Sequence, residues 1–297
     1  MKDIGDLVDN KHFIKSLRWV ETGLSTLNVN RAFNSIGSNI FIECGNDIEV
    51  VFPNMKKDVR KEWIIWVSDA SWRISKNEQY IVGSGDDPKI IQTILQNLLG
   101  KRFQSLHILS QFLDAEFNFE DGYQLTTFFN LREEHQWLLF LPDKTEIVID
   151  CSSKEKIKNV QELANQVTIK ESHTKLDLPL QDTVVEAITY DKHDLPTFHC
   201  ADNISIVLEI CTWRLEKNNE YCVGYLDDNA DEINTRFSEL IGKKLIRIDV
   251  ANSMMDARFQ FQDHYTLKTF ACCRSAPQWK ICSKGTTIFS ATIPLSD

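Results

Sequence analysis

Trp72-Arg73-Ile74-Ser75-Lys76-Asn77-Glu78-Gln79-Tyr80-Ile81-Val82-Gly83 decides how this chain is read, because it returns as Trp213-Arg214-Leu215-Glu216-Lys217-Asn218-Asn219-Glu220-Tyr221-Cys222-Val223-Gly224. The register of 141 residues holds as far as Asp86-Asp87 against Asp227-Asp228, after which one residue is gained. Leu99-Gly100-Lys101-Arg102 then matches Ile241-Gly242-Lys243-Lys244, and the stretch Asp114–Asp121 matches Asp256–Asp263. Tyr123, Leu125, Phe128 and Trp137 follow, answered by Tyr265, Leu267, Phe270 and Trp279. Large residues recurring in order with so little drift mark a tandem duplication.

Each copy reads as strands around one helix. Trp63 to Lys76 alternates and is rich in aromatic and β-branched residues, which predicts one long strand. Asn77-Glu78 and Asn218-Asn219 sit in polar turns, and Asp121-Gly122 is a hairpin signal with Asp263-His264 as its less favoured twin. Asp87-Pro88 opens a helix. Ile90, Ile91, Ile94, Leu95, Leu98 and Leu99 form its apolar face, and Gly100 stops it. Ile233, Phe237, Leu240 and Ile241 repeat the face before Gly242. Strands are predicted near 103–109, 113–119, 123–129, 136–141 and 145–149. Earlier strands are predicted within 13–20 and 39–52 of the first copy and 183–201 of the second. The expected fold class is α+β: two homologous domains, each a mostly antiparallel curved sheet with one packed helix. The first domain spans 1–150, a polar connector 151–177, and the second domain 178–297.

The chain has 297 residues, 42% hydrophobic and 26% charged, which excludes collagen, coiled coil and wholesale disorder. Its net charge of −10 argues against holding nucleic acid through phosphates and against docking on anionic membranes. No apolar run approaches the ~20 residues of a membrane span. The N-terminus lacks the basic and apolar regions of a secretory signal. The eight cysteines include no C-x-x-C pair, so reduced thiols in the cytoplasm are the expectation.

Candidates for chemistry are few. Asp114, Glu116 and Asp121 could serve a metal-dependent nuclease, but the second copy replaces Glu116 by Arg258. Gly83-Ser84-Gly85-Asp86-Asp87 before a helix suggests a phosphate loop, yet two carboxylates would repel a phosphate and helix capping explains them better. Arg73 and Arg214 need carboxylate partners in mid-sheet, with Asp87 or Asp114 as candidates in the first copy and Asp228 as the register-mate of Asp87. They are read as structural ion pairs or, more sharply, as anchors for a partner's acidic group. The basic, loop-like insertion around 53–60, with Lys56, Lys57 and Arg60, is a further candidate for recognition. No histidine of one copy has a histidine counterpart in the other, and Cys211, Cys222 and Cys282 replace apolar residues, so no metal site, cofactor or catalytic residue is expected.

An apolar strand ending in Trp-Arg-Ile/Leu, then Val-Gly with acids, Leu-Gly-Lys, and Asp-x-x-Phe-x-Phe-x-Asp-Gly-x-x-Leu resembles small uncharacterised bacterial domains, some of them similar to immunity proteins encoded beside toxins. The resemblance covers most of 63–141 and 204–289. It implies a non-enzymatic protein-binding factor of bacterial conflict or defence, whose partner is another protein such as a basic toxin. A small-ligand sensor and a metal-dependent nuclease are the alternatives.

Overall fold

The computed structural model describes residues 20–35, 39–50, 58–110, 112–131, 135–143, 146–150, 173–176, 180, 183–191, 195–227, 229–251, 255–274 and 277–293. Two compact units form: one from Met1–Asn77, Asp87–Phe129 and Glu133–Ile169, the other from Glu78–Asp86, Asn130–Arg132 and Lys170–Asp297. The protein is β-rich, and every strand pairing among the described residues is antiparallel. Helix of the α type is confined, among those residues, to 20–24 and two longer segments.

The first ten strands are β1 (Val29–Asn34), β2 (Ile40–Val50), β3 (Asp58–Val67), β4 (Ser71–Lys76), β5 (Gln79–Gly83), β6 (Phe103–Ile108), β7 (Ala115–Phe119), β8 (Tyr123–Phe128), β9 (His135–Phe140) and β10 (Glu146–Asp150), with helix α1 (Pro88–Leu95) between β5 and β6. Then come β11 (His173–Lys175), β12 (Thr183–Tyr190), β13 (Pro196–Cys200), β14 (Ile204–Leu208), β15 (Thr212–Lys217), β16 (Glu220–Gly224), α2 (Ala230–Ser238), β17 (Lys244–Ala251), β18 (Asp256–Phe261), β19 (Tyr265–Phe270), β20 (Trp279–Ser283) and β21 (Thr286–Ala291).

Within the first unit one sheet runs β1-β2-β3-β9-β10 and another contains β4-β8-β7-β6 in that order. Within the second unit the path is β16-β15-β19-β18-β17-β12-β13-β14-β20-β21, with β11 also on β17. Instead of the single curved sheet expected, the first unit therefore has two. Val29 N–H donates to Lys101 O (2.9 Å) and Gly100 N–H to Val29 O (2.9 Å). In the second unit Val185 N–H donates to Lys243 O (2.9 Å) and Gly242 N–H to Val185 O (2.8 Å).

The single long strand expected over Trp63–Lys76 is in fact two. The chain leaves β3, which pairs with β2 and β9, at Ser68–Ala70 and enters β4, which pairs with β8. Ser68 N–H donates to Gln136 O at 3.2 Å where the path changes. The break falls at Ser68-Asp69, two successive polar residues between the apolar run Trp63–Val67 and the alternation of Ser71–Lys76. The second unit breaks likewise between β14 and β15, where Glu209 N–H donates to Gln278 O at 2.9 Å. The expected basic loop around 53–60 is corrected at its end, because Asp58–Arg60 already belongs to β3; residues 51–57 lie outside the described residues, as do 13–19 and most of the connector.

The turns follow from local chemistry. Asn77 and Glu78 have φ of 50° and 64°, Asn218 and Asn219 52° and 62°, and Asp121 and Gly122 60° and 74°. Two successive positive φ values match the right-handed strand twist and favour Asn, Asp and Gly. Exposed His264 (φ 62°) carries that conformation with a β-carbon. His264→Gly is therefore expected to raise stability by about 0.5–1 kcal/mol, since the left-handed conformation costs a non-glycine residue about 1–2 kcal/mol against glycine's extra unfolded-state entropy. Urea unfolding of the two proteins measures it, and a loss of stability would contradict it.

Asp87 Oδ1 caps α1 by accepting from Lys89 N–H at 2.8 Å. In α2 the cap is Asn229, whose Oδ1 accepts from Glu232 N–H at 3.0 Å. Ile91, Leu95 and Leu98 are buried, as are Phe237 and Leu240. Ile90, Leu99 and Ile241, expected on the apolar face, are instead exposed; at Leu99 the reason is that the chain tightens to a 3₁₀ turn over Gln96–Leu98, which shifts the buried face there.

Trp72, Trp137, Trp213 and Trp279 are all buried. Trp137 Nε1–H donates to Leu113 O at 2.9 Å and its ring meets Phe117 edge-on at 5.4 Å. Trp279 Nε1–H donates to Met255 O at 2.9 Å and meets Phe259 edge-on at 5.1 Å. Leu113 (φ 64°) and Met255 (φ 60°) both turn left-handed to aim those carbonyls.

Candidate functional site

On a strand, residues two apart share a face. The face of β4 opposite Trp72 and Ile74 carries Arg73 and Ser75, and sheet pairing extends both positions into rows. One row is Arg73, Thr126, Glu116 and His107; the next is Ser75, Gln124, Asn118 and Ser105. The second row is a hydrogen-bonded chain. Ser75 Oγ donates to Gln124 Oε1 (3.3 Å), Gln124 Nε2 to Asn118 Oδ1 (3.0 Å), and Asn118 Nδ2 to Ser105 Oγ (3.1 Å) and Glu116 Oε1 (3.0 Å). Ser105 Oγ lies 3.0 Å from His107 Nε2. Arg73 is buried at the head of the first row.

In the second unit the corresponding strands align Arg214, Lys268, Arg258 and Asp249 in one row and Glu216, Thr266, Gln260 and Arg247 in the next. This face is charged. Arg214 Nε donates to Glu216 Oε1 at 2.7 Å, with both side chains 2% exposed or less, and Lys268 Nζ reaches the same oxygen at 2.9 Å. Arg247 and Gln260 both donate to Asp249. Burial pushes the Glu216 carboxyl up, but the charges of Arg214 and Lys268 outweigh it and hold the group below its ordinary value. Burial, with Arg214 and Arg258 adding to it, draws Lys268 below the usual lysine range against the pull of Glu216.

No family model matches the chain, and neither does any curated protein or solved structure. What the site can do rests on its own residues.

The carboxylate facing Arg214 is Glu216, two residues along the same strand, where the first copy has Ser75. The i, i+2 spacing of Arg214 and Glu216 on one strand face carries that signal in the sequence. Asp87 is a helix cap, and Asp228 lies outside the described residues. Asp114 is buried and accepts from Ser110 Oγ (2.6 Å) and Phe129 N–H (2.6 Å), bracing the ends of β7 and β8. Asp256 does the same for Ala271 N–H at 2.8 Å. Glu116 belongs to the polar face, and Asp121, paired with Lys101, sits in the turn that follows β7, at the opposite end of that strand from Asp114. The proposed nuclease acids are thus not gathered. Among the described residues no cluster of three or more His, Cys, Asp or Glu is placed to hold a metal.

The Gly83–Asp86 turn belongs to the second unit. Asp86 Oδ2 accepts from Tyr80 Oη (2.6 Å) and Gly83 N–H (2.9 Å), while Oδ1 accepts from Arg274 N–H (3.0 Å). Asp227 holds Tyr221 (2.9 Å) and Gly224 (2.8 Å) the same way. These two acids appear in the sequence only as matched charges; their role as turn braces is visible in the fold. Lys56 and Lys57 lie outside the described residues. Arg60 is in β3, donating from Nη2 to Leu141 O (3.2 Å) with its guanidinium 5.2 Å from the Phe140 ring centre. Cys44, Cys200, Cys211, Cys222, Cys272 and Cys273 are buried thiols that form no disulfide. Burial pushes Cys44 up to about 12 and Cys200 to about 11, which disfavours the reactive thiolate.

Among the described residues no helix is long and apolar enough to cross a membrane.

Proposed function

We propose that the chain is a non-enzymatic, cytoplasmic protein-binding factor of bacterial conflict or defence, immunity-like, made of two homologous domains descended from one copied module, 1–150 and 178–297. The observation that carries the reading is a contrast between framework and polar face. Framework bonds recur pair by pair: Trp137 to Leu113 and Trp279 to Met255, Asp86 and Asp227 on their tyrosines, Lys101 to Asp121 and Lys243 to Asp263. The polar rows do not. Arg73 and Arg214 are shared, but Glu116 becomes Arg258, His107 becomes Asp249, Thr126 becomes Lys268 and Ser105 becomes Arg247.

Catalysis in both copies would need the same groups in both rows. Recognition by surface complementarity gains from divergence at the half-buried and exposed positions of the rows, Ser105, His107 and Glu116 in one unit and Arg247, Arg258 and Lys268 in the other, behind which Arg73, Arg214 and Glu216 are buried, since charge placement selects partners and rejects others. The net charge of −10 favours a basic partner and speeds encounter with it. The test is co-expression of the full chain with the products of the reading frames beside its gene. A stable stoichiometric complex that weakens as salt rises is the expected result; the absence of a complex with every neighbouring product would overturn the proposal.

A further inference from the structure

The second unit takes in two pieces of the first copy, Glu78–Asp86 and Asn130–Arg132. One contact, made twice, holds them there. Gly85 N–H donates to Cys272 O at 2.9 Å, and Leu226 N–H donates to Asn130 O at 3.2 Å. Gly85 and Leu226 answer each other at the register of 141 residues, and Asn130 answers Cys272 one residue later, after the gain that follows Asp87. The donor of either copy thus meets the acceptor of the other. A β-carbon on Gly83 would lie 2.3 Å from Cys272 O, and one on Gly224 would lie 2.3 Å from Asn130 O. Each would also crowd the hydroxyl of its own hairpin's tyrosine, Tyr80 at 2.7 Å or Tyr221 at 2.4 Å, but a hydroxyl at the end of a side chain can shift and a main-chain carbonyl cannot do so cheaply. Neither glycine has a positive φ, so both positions answer to the close approach of another backbone rather than to a turn.

The side chains around this contact differ between the copies while the contact is kept. Ser84-Gly85 stands where the second copy has Tyr225-Leu226, and Asn130-Leu131 where it has Cys272-Cys273. Backbone groups make the bond, so it survives those exchanges. Arg274 secures the first-copy segment further, donating from Nη2 to Tyr80 O at 2.7 Å and from its backbone N–H to Asp86 Oδ1 at 3.0 Å. Tyr80 is buried in a small cluster with Ala271 and Ile293. A contact in which residue i of one member meets residue j of the other, and j meets i, is the pattern by which two identical subunits associate. We propose that the copied module is a pairing unit whose partner is a second copy of itself, and that the two copies of this chain pair through 78–86, 130–132 and their counterparts without needing the connector. The inference rests on the descent of both copies from one module and not on what the polar face binds, so the co-expression test and the one below can fail separately.

A specific protease site inserted between Ile169 and Lys170 of the full chain tests the proposal, because that cut leaves 78–86 and 130–132 on one fragment and the rest of the second unit on the other. After complete cleavage the two fragments should sediment together at micromolar concentration, with the mass of the intact chain. Gly83→Ala and Gly224→Ala, tested singly, push a methyl group against the opposite carbonyl and should each weaken the association about tenfold, the equivalent of one hydrogen bond lost. Arg274→Ala removes the bond to Tyr80 O without adding bulk and should weaken it in the same direction. The cut chain without substitutions decides the matter if a glycine variant fails to fold. Fragments of unaltered sequence that part on cleavage, or fragments that stay together equally well with all three substitutions, overturn the proposal.

Discussion

Glu216→Gln is expected to lower the unfolding free energy by about 3–5 kcal/mol, because it leaves the Arg214 guanidinium buried without the carboxylate it faces at 2.7 Å. Lys268 loses the same partner at 2.9 Å and would then add to the repulsion. Ser75→Ala, at the matching position of the first copy, removes one neutral 3.3 Å hydrogen bond and should change stability by under about 1.5 kcal/mol. The Glu216 effect also has a pH signature. Its carboxyl sits below the ordinary 4.5 in the folded protein, so folding favours the ionised form. That contribution is fully present above about pH 4.5 and is lost as the pH falls through the lower folded value. The gap between wild type and Glu216→Gln should therefore be widest near neutrality and narrow in acid. Urea unfolding at pH 7 and pH 3.5 measures both numbers. A loss below about 1 kcal/mol at pH 7, the size of a surface pair, would contradict the prediction. Arg214→Met, Glu216→Leu and Lys268→Met together should recover much of the loss, since burial of a paired charge cluster gives little net stability over apolar residues of similar size.

Trp279→Ala and Trp137→Ala should each cost about 3–5 kcal/mol, the usual penalty for emptying a fully buried aromatic site. Each indole contributes an edge-on aromatic contact and an Nε1–H bond to the carbonyl of a left-handed residue. Phenylalanine at either position keeps part of the ring volume but strands that carbonyl, so the smaller change should still cost about 1–3 kcal/mol. The two alanine losses should agree within about 1 kcal/mol if the two copies build the same interior. Guanidinium unfolding of both variants provides the comparison. A severe loss at one tryptophan and a mild one at the other would contradict the proposal that both units descend from one copied module.

Much of this architecture was legible because its causes are local. Asn77-Glu78, Asp121-Gly122 and Asp263-His264 announce hairpins by residues that tolerate positive φ, and Asp87-Pro88 announces α1 by its cap. The recurrence of tryptophans at one register requires nothing beyond the chain itself. The apolar face of α1 was only half legible, because Ile90 and Leu99 fit helical spacing yet fall outside the arc that the short helix buries.

The amino-acid order by itself thus determined where strands turn, where the helices begin and which large residues recur, since backbone conformational preference and side-chain periodicity act over a few residues. Only the tertiary structure decided that the chain changes pairing partners at Ser68–Ala70, that Arg60 continues a strand, and that Arg214, Lys268 and Arg258 come into one row. Those outcomes depend on which strands hydrogen-bond to each other and in what register, a choice made among residues far apart in the chain, where no local pattern reaches.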